Sequence, residues 1–420
     1  MDLPMIPCAN SSVGTTNQLI GLLFQAILTA QCNLSPPDLW PQDYGPRALK
    51  RGFEEYDFVI VGAGSAGSVV ANRLSENPNW KILLLEAGAD PPIEAEIPAL
   101  SGTLQMTKYD WNYYVEKSDK ASLSLPKGCY WPRGKMLGGS SSHNAMSYIR
   151  GNQRDYDHWE DLGNERWSWK EVLEYFKKFE GNKNDEVADL YGGKFHNKNG
   201  PITVEFFSPS DLWKVMFFEA AKELGYEYLV DFNAKDHIGF GLMQKTVCNN
   251  RRMSTAKAFL FPAKNRSNLH VVKNAHVLNL EFDDKNKVTG VKINLANKKN
   301  LFVEARKEVI MSAGSINTPQ ILMLSGIGPK YHLQEQGIPL IKDAAVGLNL
   351  QDHINIPIFL KITNFNEPPL PKDAAGRAIF SYLLENSGPL TSNGIADVLG
   401  FVNTNNDSPF PDTEYLHCIK

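Results

Sequence analysis

Apolar and polar positions change period several times along the chain, and each change marks an element. Residues 57–61 (DFVIV) form a nearly continuous apolar run, the pattern of a parallel strand buried on both faces. The run leads into Gly62-Ala63-Gly64-Ser65-Ala66-Gly67, residues 68–74 carry helical spacing, and a second apolar run over 81–85 ends in Glu86. Strand, glycine turn, helix and strand closing on an acid predict a βαβ unit. Between residues 268 and 304 the segments LHVV, AHVLNLEF, VTGVKINL and its continuation LFVEA are separated by the turn sequences DDKN and NKKN. They predict an antiparallel meander. Residues 308–312 (EVIMS) predict one more buried strand, leading through Ala313-Gly314 into a helix over 315–324.

The N-terminal pattern is different. Residues 19–30 (LIGLLFQAILTA) are apolar, too short to span a bilayer and of the length of a signal-peptide core. Residues 1–33 are therefore expected to be a signal or leader segment of an extracellular protein, the other reading being a soluble intracellular chain. Residues 34–55, rich in Pro and polar side chains, predict an extended arm. The expected organisation is a discontinuous dinucleotide-binding domain at 56–153 and 254–354, interleaved with a partial α+β substrate-binding domain at 154–253 and 355–420.

Composition narrows the partners. A chain of 420 residues, 42% hydrophobic and 21% charged, is neither disordered, collagen-like nor a disulfide miniprotein. A net charge of −4 without a Lys/Arg block argues against nucleic acid. The five cysteines (Cys8, Cys32, Cys129, Cys248, Cys418) lack CxxC spacing, so no metal site is expected.

Chemistry concentrates first at the glycine turn. Gly62 permits the tight turn, Gly64 lets amides approach a pyrophosphate, and Gly67 lets helix and strand pack closely, with Ser65 and Ala66 opening the helix. The helix N-terminus supplies free N–H donors and partial positive charge. Glu86, 19 residues after Gly67, stands where a carboxylate accepts hydrogen bonds from adenosine ribose hydroxyls. An acid here suits NAD or FAD better than NADP.

Two longer motifs separate those cofactors. Residues 134–151 (GKMLGGSSSHNAMSYIRG) and 314–328 (GSINTPQILMLSGIG) resemble the two signatures of the glucose-methanol-choline family of FAD-dependent oxidoreductases. The segments DLWPQDYGP and PLTSNGI are most similar to the insect glucose dehydrogenase branch. The resemblance implies an α/β fold with a Rossmann-like FAD-binding domain of parallel sheet and β-meander. It also implies FAD as cofactor, hydride transfer from a CH–OH donor such as a sugar or alcohol to flavin N5, and a quinone or oxygen as acceptor. By the same resemblance Leu137, Gly138 and Gly139 lie against the cofactor, Asn144, Ala145, Met146 and Ser147 contact the isoalloxazine, and the Val277 backbone holds the adenine. His143 stands where the family is aliphatic, either to tune the flavin or as a side chain turned into a polar pocket.

The family's catalytic base is a late His paired with a second His or Asn, and none of the nine histidines here lies in such a context. Asp352-His353 matches a structural element upstream of it. The expectation is a C-terminally truncated chain with apolar surface uncovered, which opens an alternative: a catalytically inactive FAD-binding product. Phe206, Phe207, Trp213, Phe217 and Phe218 are candidates either for a substrate pocket or for ordinary core.

Overall fold

The computed structural model describes residues 15–207, 212–359, 371, 373–405 and 410–418. Two helices, α1 (Thr15–Leu34) and α2 (Gly45–Arg51), precede strand β1 (Tyr56–Val61), helix α3 (Ser65–Leu74) and strand β2 (Ile82–Leu85). Every residue of β1 and β2 is buried, because both faces of their sheet are covered. Val59, Val61, Leu83 and Leu85 pack on one face with Val272 and Val277; Phe58, Ile60, Ile82 and Leu84 pack on the other with Ala71 of α3 and Leu137. The strand alternation of side chains thus reads as a continuous apolar run.

One six-stranded sheet organises this half, in the order Leu269–Val272, β2, β1, Lys299–Met311, Val288–Leu295, Ala275–Phe282. The first three pairings are parallel and the last two antiparallel. This corrects two expectations. Segment LHVV is not a meander strand: it lies parallel to β2, with Val272 opposite Leu85. LFVEA and EVIMS are one 13-residue strand, antiparallel to Val288–Leu295 at its start and parallel to β1 at its end. Turn signals could not reveal this, because no breaker separates the two halves. Val61 pairs with both Leu85 and Met311, so the carboxyl ends of the parallel strands finish level.

Residues 34–55 are not a free extended arm. Asp43 bridges Val271 at the sheet edge, the Tyr44 N–H donates to the Val271 carbonyl, and Ala48 of α2 is buried against the sheet. Pro46 near the start of α2 fits a helix opening rather than an extended run. The apolar 19–30 run lies within α1, and no described helix is long and apolar enough to cross a membrane. Residues 1–14, including Cys8, lie outside the described residues.

A four-stranded sheet lies in the other half, in the order Thr413–Cys418, Ile395–Val402, Gly239–Leu242, Tyr228–Leu229. Strands from residues 154–253 and from 355–420 thus share one sheet. Phe217 packs on Phe240 and Phe218 on Tyr228, as core of this sheet. Phe207 is buried with Met146 and Val247. The Trp213 and His417 side chains lie outside the described residues.

Candidate functional site

The level carboxyl ends of β2, β1 and Lys299–Met311 open into a cleft of ≈ 640 Å³, the position where open α/β sheets bind ligands. It is lined by Val61, Gly62, Gly64, Ser65, Ala66, Glu86, Gly139, Ser140, Val277 and the turn Ser312–Pro319. Two helix N-termini face it. In α3 the first helical hydrogen bond runs from the Ser68 N–H to the Gly64 carbonyl, and Gly64 supplies no side-chain cap, so the preceding amides stay open to the cleft. The helix Gly314–Leu324 begins at the same cleft with Ser315 and Ile316. Together their dipoles favour an anion.

The glycines act by close approach. A Cβ on Gly139, whose φ is +51°, would stand 2.8 Å from the Gly64 Cα, so the first signature loop and the fingerprint turn lie backbone against backbone. The Gly138 N–H donates to the Ala63 carbonyl at 2.7 Å and fastens that crossing. Gly67 stands behind the cleft, where a Cβ would be 1.9 Å from the Gly62 carbonyl oxygen.

Glu86 is buried at the end of β2 and accepts from the Ala63 N–H at 2.9 Å and the Gly88 N–H at 2.8 Å. Burial pushes its carboxyl up to about 7, against these amide hydrogen bonds, which favour the charged form. A carboxyl pKa raised on folding means that the native state binds more protons than the unfolded chain between pH 4.5 and about 7, and stability falls as pH rises through that window. The flavin-free chain should lose about 3 kcal/mol of unfolding free energy across it. Denaturant titrations of wild type and Glu86→Gln at pH 5 and 8 check this: the slope should shrink in the variant, and an equal slope in both refutes the assignment.

An aromatic wall closes one side. Trp111 stacks on Tyr113 with centroids 5.8 Å apart, His276 meets Trp111 edge-on at 5.6 Å, and the Lys135 ammonium lies 4.5 Å from the Trp111 ring centroid. The Tyr113 hydroxyl donates to Asn317 Oδ1 at 2.6 Å, tying this wall to the helix Gly314–Leu324. Burial lowers the His276 pKa, and Lys135 lowers it further. Sequence reading missed Trp111, Arg133, His276 and Asn317. The polar Asn317 inside an apolar helix is the signal that could have pointed to one of them.

Of the expected contacts, Gly62, Gly64, Ser65, Ala66, Glu86, Gly139 and Val277 line the cleft, and Gly67, Leu137 and Gly138 support it from behind. Leu137 and Met146 are each 0% exposed. Leu137 packs on the sheet face with Ile60 and Leu84, and Met146 packs with Phe207 and Val247. Asn144 and Ser147 are exposed and Ala145 is half-buried, on the turn that follows Ser140. His143 is buried, has its pKa lowered by burial, and is not among the cleft-lining residues. His353 is exposed.

The GMC oxidoreductase family model matches residues 56–355. The chain is 38% identical to a glucose dehydrogenase [FAD, quinone] of Drosophila pseudoobscura pseudoobscura over 93% of its own length and 61% of that protein's. It is also 38% identical to an ecdysone oxidase of Bombyx mori, over 84% of this chain and 52% of the other. Among solved structures, a formate oxidase variant of Aspergillus oryzae superposes with a TM-score of 0.72 at 30% identity, covering 84% of this chain and 62% of that one. Pyridoxine 4-oxidase superposes with a TM-score of 0.62 at 33% identity, covering 69% and 55%. The chain thus spans about three fifths of the length of the insect glucose dehydrogenase. With both signatures at the carboxyl ends of a shared parallel sheet, and a family model covering both, this chain belongs to the GMC oxidoreductase family.

Proposed function

We propose that the cleft binds FAD and that the chain serves the oxidation of a CH–OH donor, a sugar or alcohol, with a quinone or oxygen as final acceptor. The observation that carries this reading is the convergence of two helix N-termini and the Gly64–Gly139 contact on one cleft at the carboxyl ends of the strands. The residues present fit the cofactor. Open amides at the start of α3 suit its pyrophosphate, and each Glu86 oxygen, already holding one amide, retains a lone pair for a ribose hydroxyl. The Val277 backbone offers adenine a hydrogen-bonding edge, and the turn at Asn144–Ser147 is assigned to the ring. FAD, when bound, supplies the hydride acceptor for the alcohol carbon.

What the chain's own residues do is bind and orient. Ser65, Ala66 and Gly139 present amides and little bulk, and Trp111 and His276 exclude water from one wall. The apolar 19–30 run supports secretion, which recovery of the expressed chain from culture medium, cleaved near Ala30, would test.

The decisive experiment is purification with FAD, followed by anaerobic addition of sugars and alcohols. Stoichiometric yellow flavin bleached by one of them supports the whole reading. Bound flavin bleached by none restricts the chain to an FAD-binding product, and no bound flavin refutes it. Gly64→Ala separates binding from folding. The added Cβ would lie 3.9 Å from the Gly139 Cα, an ordinary contact, at a backbone φ of −76°. The variant should keep the wild-type thermal midpoint while its FAD Kd rises about tenfold or more, some 1.4 kcal/mol. Unchanged affinity by flavin fluorescence would remove the cofactor from this turn.

A further inference from the structure

Arg252 is the largest fully buried side chain among the described residues, 1% exposed. Its Nε donates to the Ala95 carbonyl at 2.7 Å, and one terminal nitrogen donates to the Ser141 carbonyl at 3.2 Å and to Asn144 Oδ1 at 2.7 Å. The other terminal nitrogen is buried with no hydrogen-bond partner, and among the described residues no carboxylate lies within ion-pair distance of the guanidinium. A buried cation held by carbonyls alone costs stability, so its position calls for a reason.

That reason lies in the turn it grips. Asn144 Oδ1 also accepts the Met146 N–H at 3.0 Å, and the Asn144 N–H donates to the Ser140 carbonyl at 2.8 Å. Met146 has a φ of +62°, a left-handed conformation costly for a side chain of this size. The Thr246 N–H holds the Met146 carbonyl at 2.8 Å, and Asn393 Nδ2 holds the Ala145 carbonyl at 2.8 Å. The guanidinium fork is therefore the anchor from which one exposed carboxamide, Asn144, fixes a strained turn directly beyond cleft-lining Ser140.

We propose that Arg252 is a positioning residue that sets the 140–147 turn and places an unpaired positive charge behind it, so that a flavin lying against this turn binds more tightly reduced than oxidised. The charge part rests on the FAD reading above; the positioning part does not. Two-electron reduction with uptake of one proton leaves the flavin one unit more negative, and a fixed cation in a dry surrounding favours that state. A lysine keeps the charge but lacks the planar fork.

The test compares wild type, Arg252→Met, Arg252→Lys and Asn144→Ala. Hydrogen exchange of peptides covering residues 140–147, measured on flavin-free protein, should rise at least tenfold in all three variants. Asn144→Ala alters only an exposed side chain, and keeps the comparison available if an Arg252 variant fails to fold. Midpoint potentials of the flavin-loaded proteins give the ratio of reduced to oxidised affinity. That ratio should fall at least tenfold in Arg252→Met and stay near wild type in Arg252→Lys, a difference that packing alone would not produce. Wild-type exchange in folded variants overturns the positioning role. An unmoved potential in Arg252→Met overturns the charge role with the FAD reading intact. A wild-type chain that takes up no FAD overturns the charge role together with that reading, while exchange still decides the turn.

Discussion

Replacing Arg150 by leucine is expected to cost about 3–5 kcal/mol of stability, among the largest effects of any single side chain here. Arg150 lies in a charged cluster sealed from water, in which its own side chain and those of Glu180, His196 and Asp231 are all 0% exposed. The guanidinium donates to Glu180 at 2.7 Å, to the Tyr148 hydroxyl at 3.1 Å and to the Phe195 carbonyl at 2.7 Å. His196 bridges Glu180 Oε1 at 2.9 Å and Asp231 Oδ2 at 3.0 Å, and Asn182 and Gln244 complete the carboxylate shells. Leucine would remove one buried positive charge and leave the Glu180 and Asp231 carboxylates facing His196 alone, and that uncompensated charge sets the cost. Urea unfolding measures it, and a loss under 1 kcal/mol would refute the cluster's role.

The same cluster titrates. With His196 protonated, two cations face two carboxylates. Burial works against that charge, but the hydrogen bonds and charges of Asp231 and Glu180 outweigh it, and the imidazole pKa lies above its ordinary 6.5. A histidine pKa raised on folding gives stability that is complete below 6.5 and lost as pH rises through the higher native value. His196→Leu should therefore abolish an alkaline decline in the wild-type thermal midpoint that sets in above pH 6.5.

The second large effect belongs to Gly67. An alanine here would drive its Cβ to 1.9 Å from the Gly62 carbonyl oxygen, and to 3.2 Å from the Ser312 Cβ. Neither group can swing aside, since one is backbone and the other belongs to the neighbouring strand's exit, so α3 must back away from β1. The expected loss is about 3 kcal/mol or more, together with FAD binding. Paired with Gly64→Ala, which should spare the fold, it divides the fingerprint into a packing glycine and a ligand glycine. If the two variants behaved alike in thermal melts, that division would fail.

The fingerprint was legible because its causes are local. A turn needing glycine, a helix start and an acid two residues before Gly88 can be read from neighbouring positions, and Gly62, Gly64, Glu86 and Val277 do line one cleft. The meander was partly misread because strand identity depends on partners. Nothing within LHVV says that its neighbour is β2, 184 positions from Leu269 to Leu85, rather than the next strand in sequence. The burial of Leu137 and Met146 was illegible for a related reason: their signature marks a loop that nears the cleft, while distant neighbours decide which of its residues are buried.

The sequence by itself determined the βαβ unit, the two signature loops and the family to which they belong, because short-range periodicity and glycine geometry act over a few residues. Only the tertiary structure decided that the meander and the parallel strands form one sheet. It alone showed Arg252 gripping Asn144 from 108 residues away. It also assembled Arg150, Glu180, His196 and Asp231 into one buried cluster. Those groupings depend on which distant segments share a dry interior, where the energy of a charge is set by its neighbours in space and not in sequence.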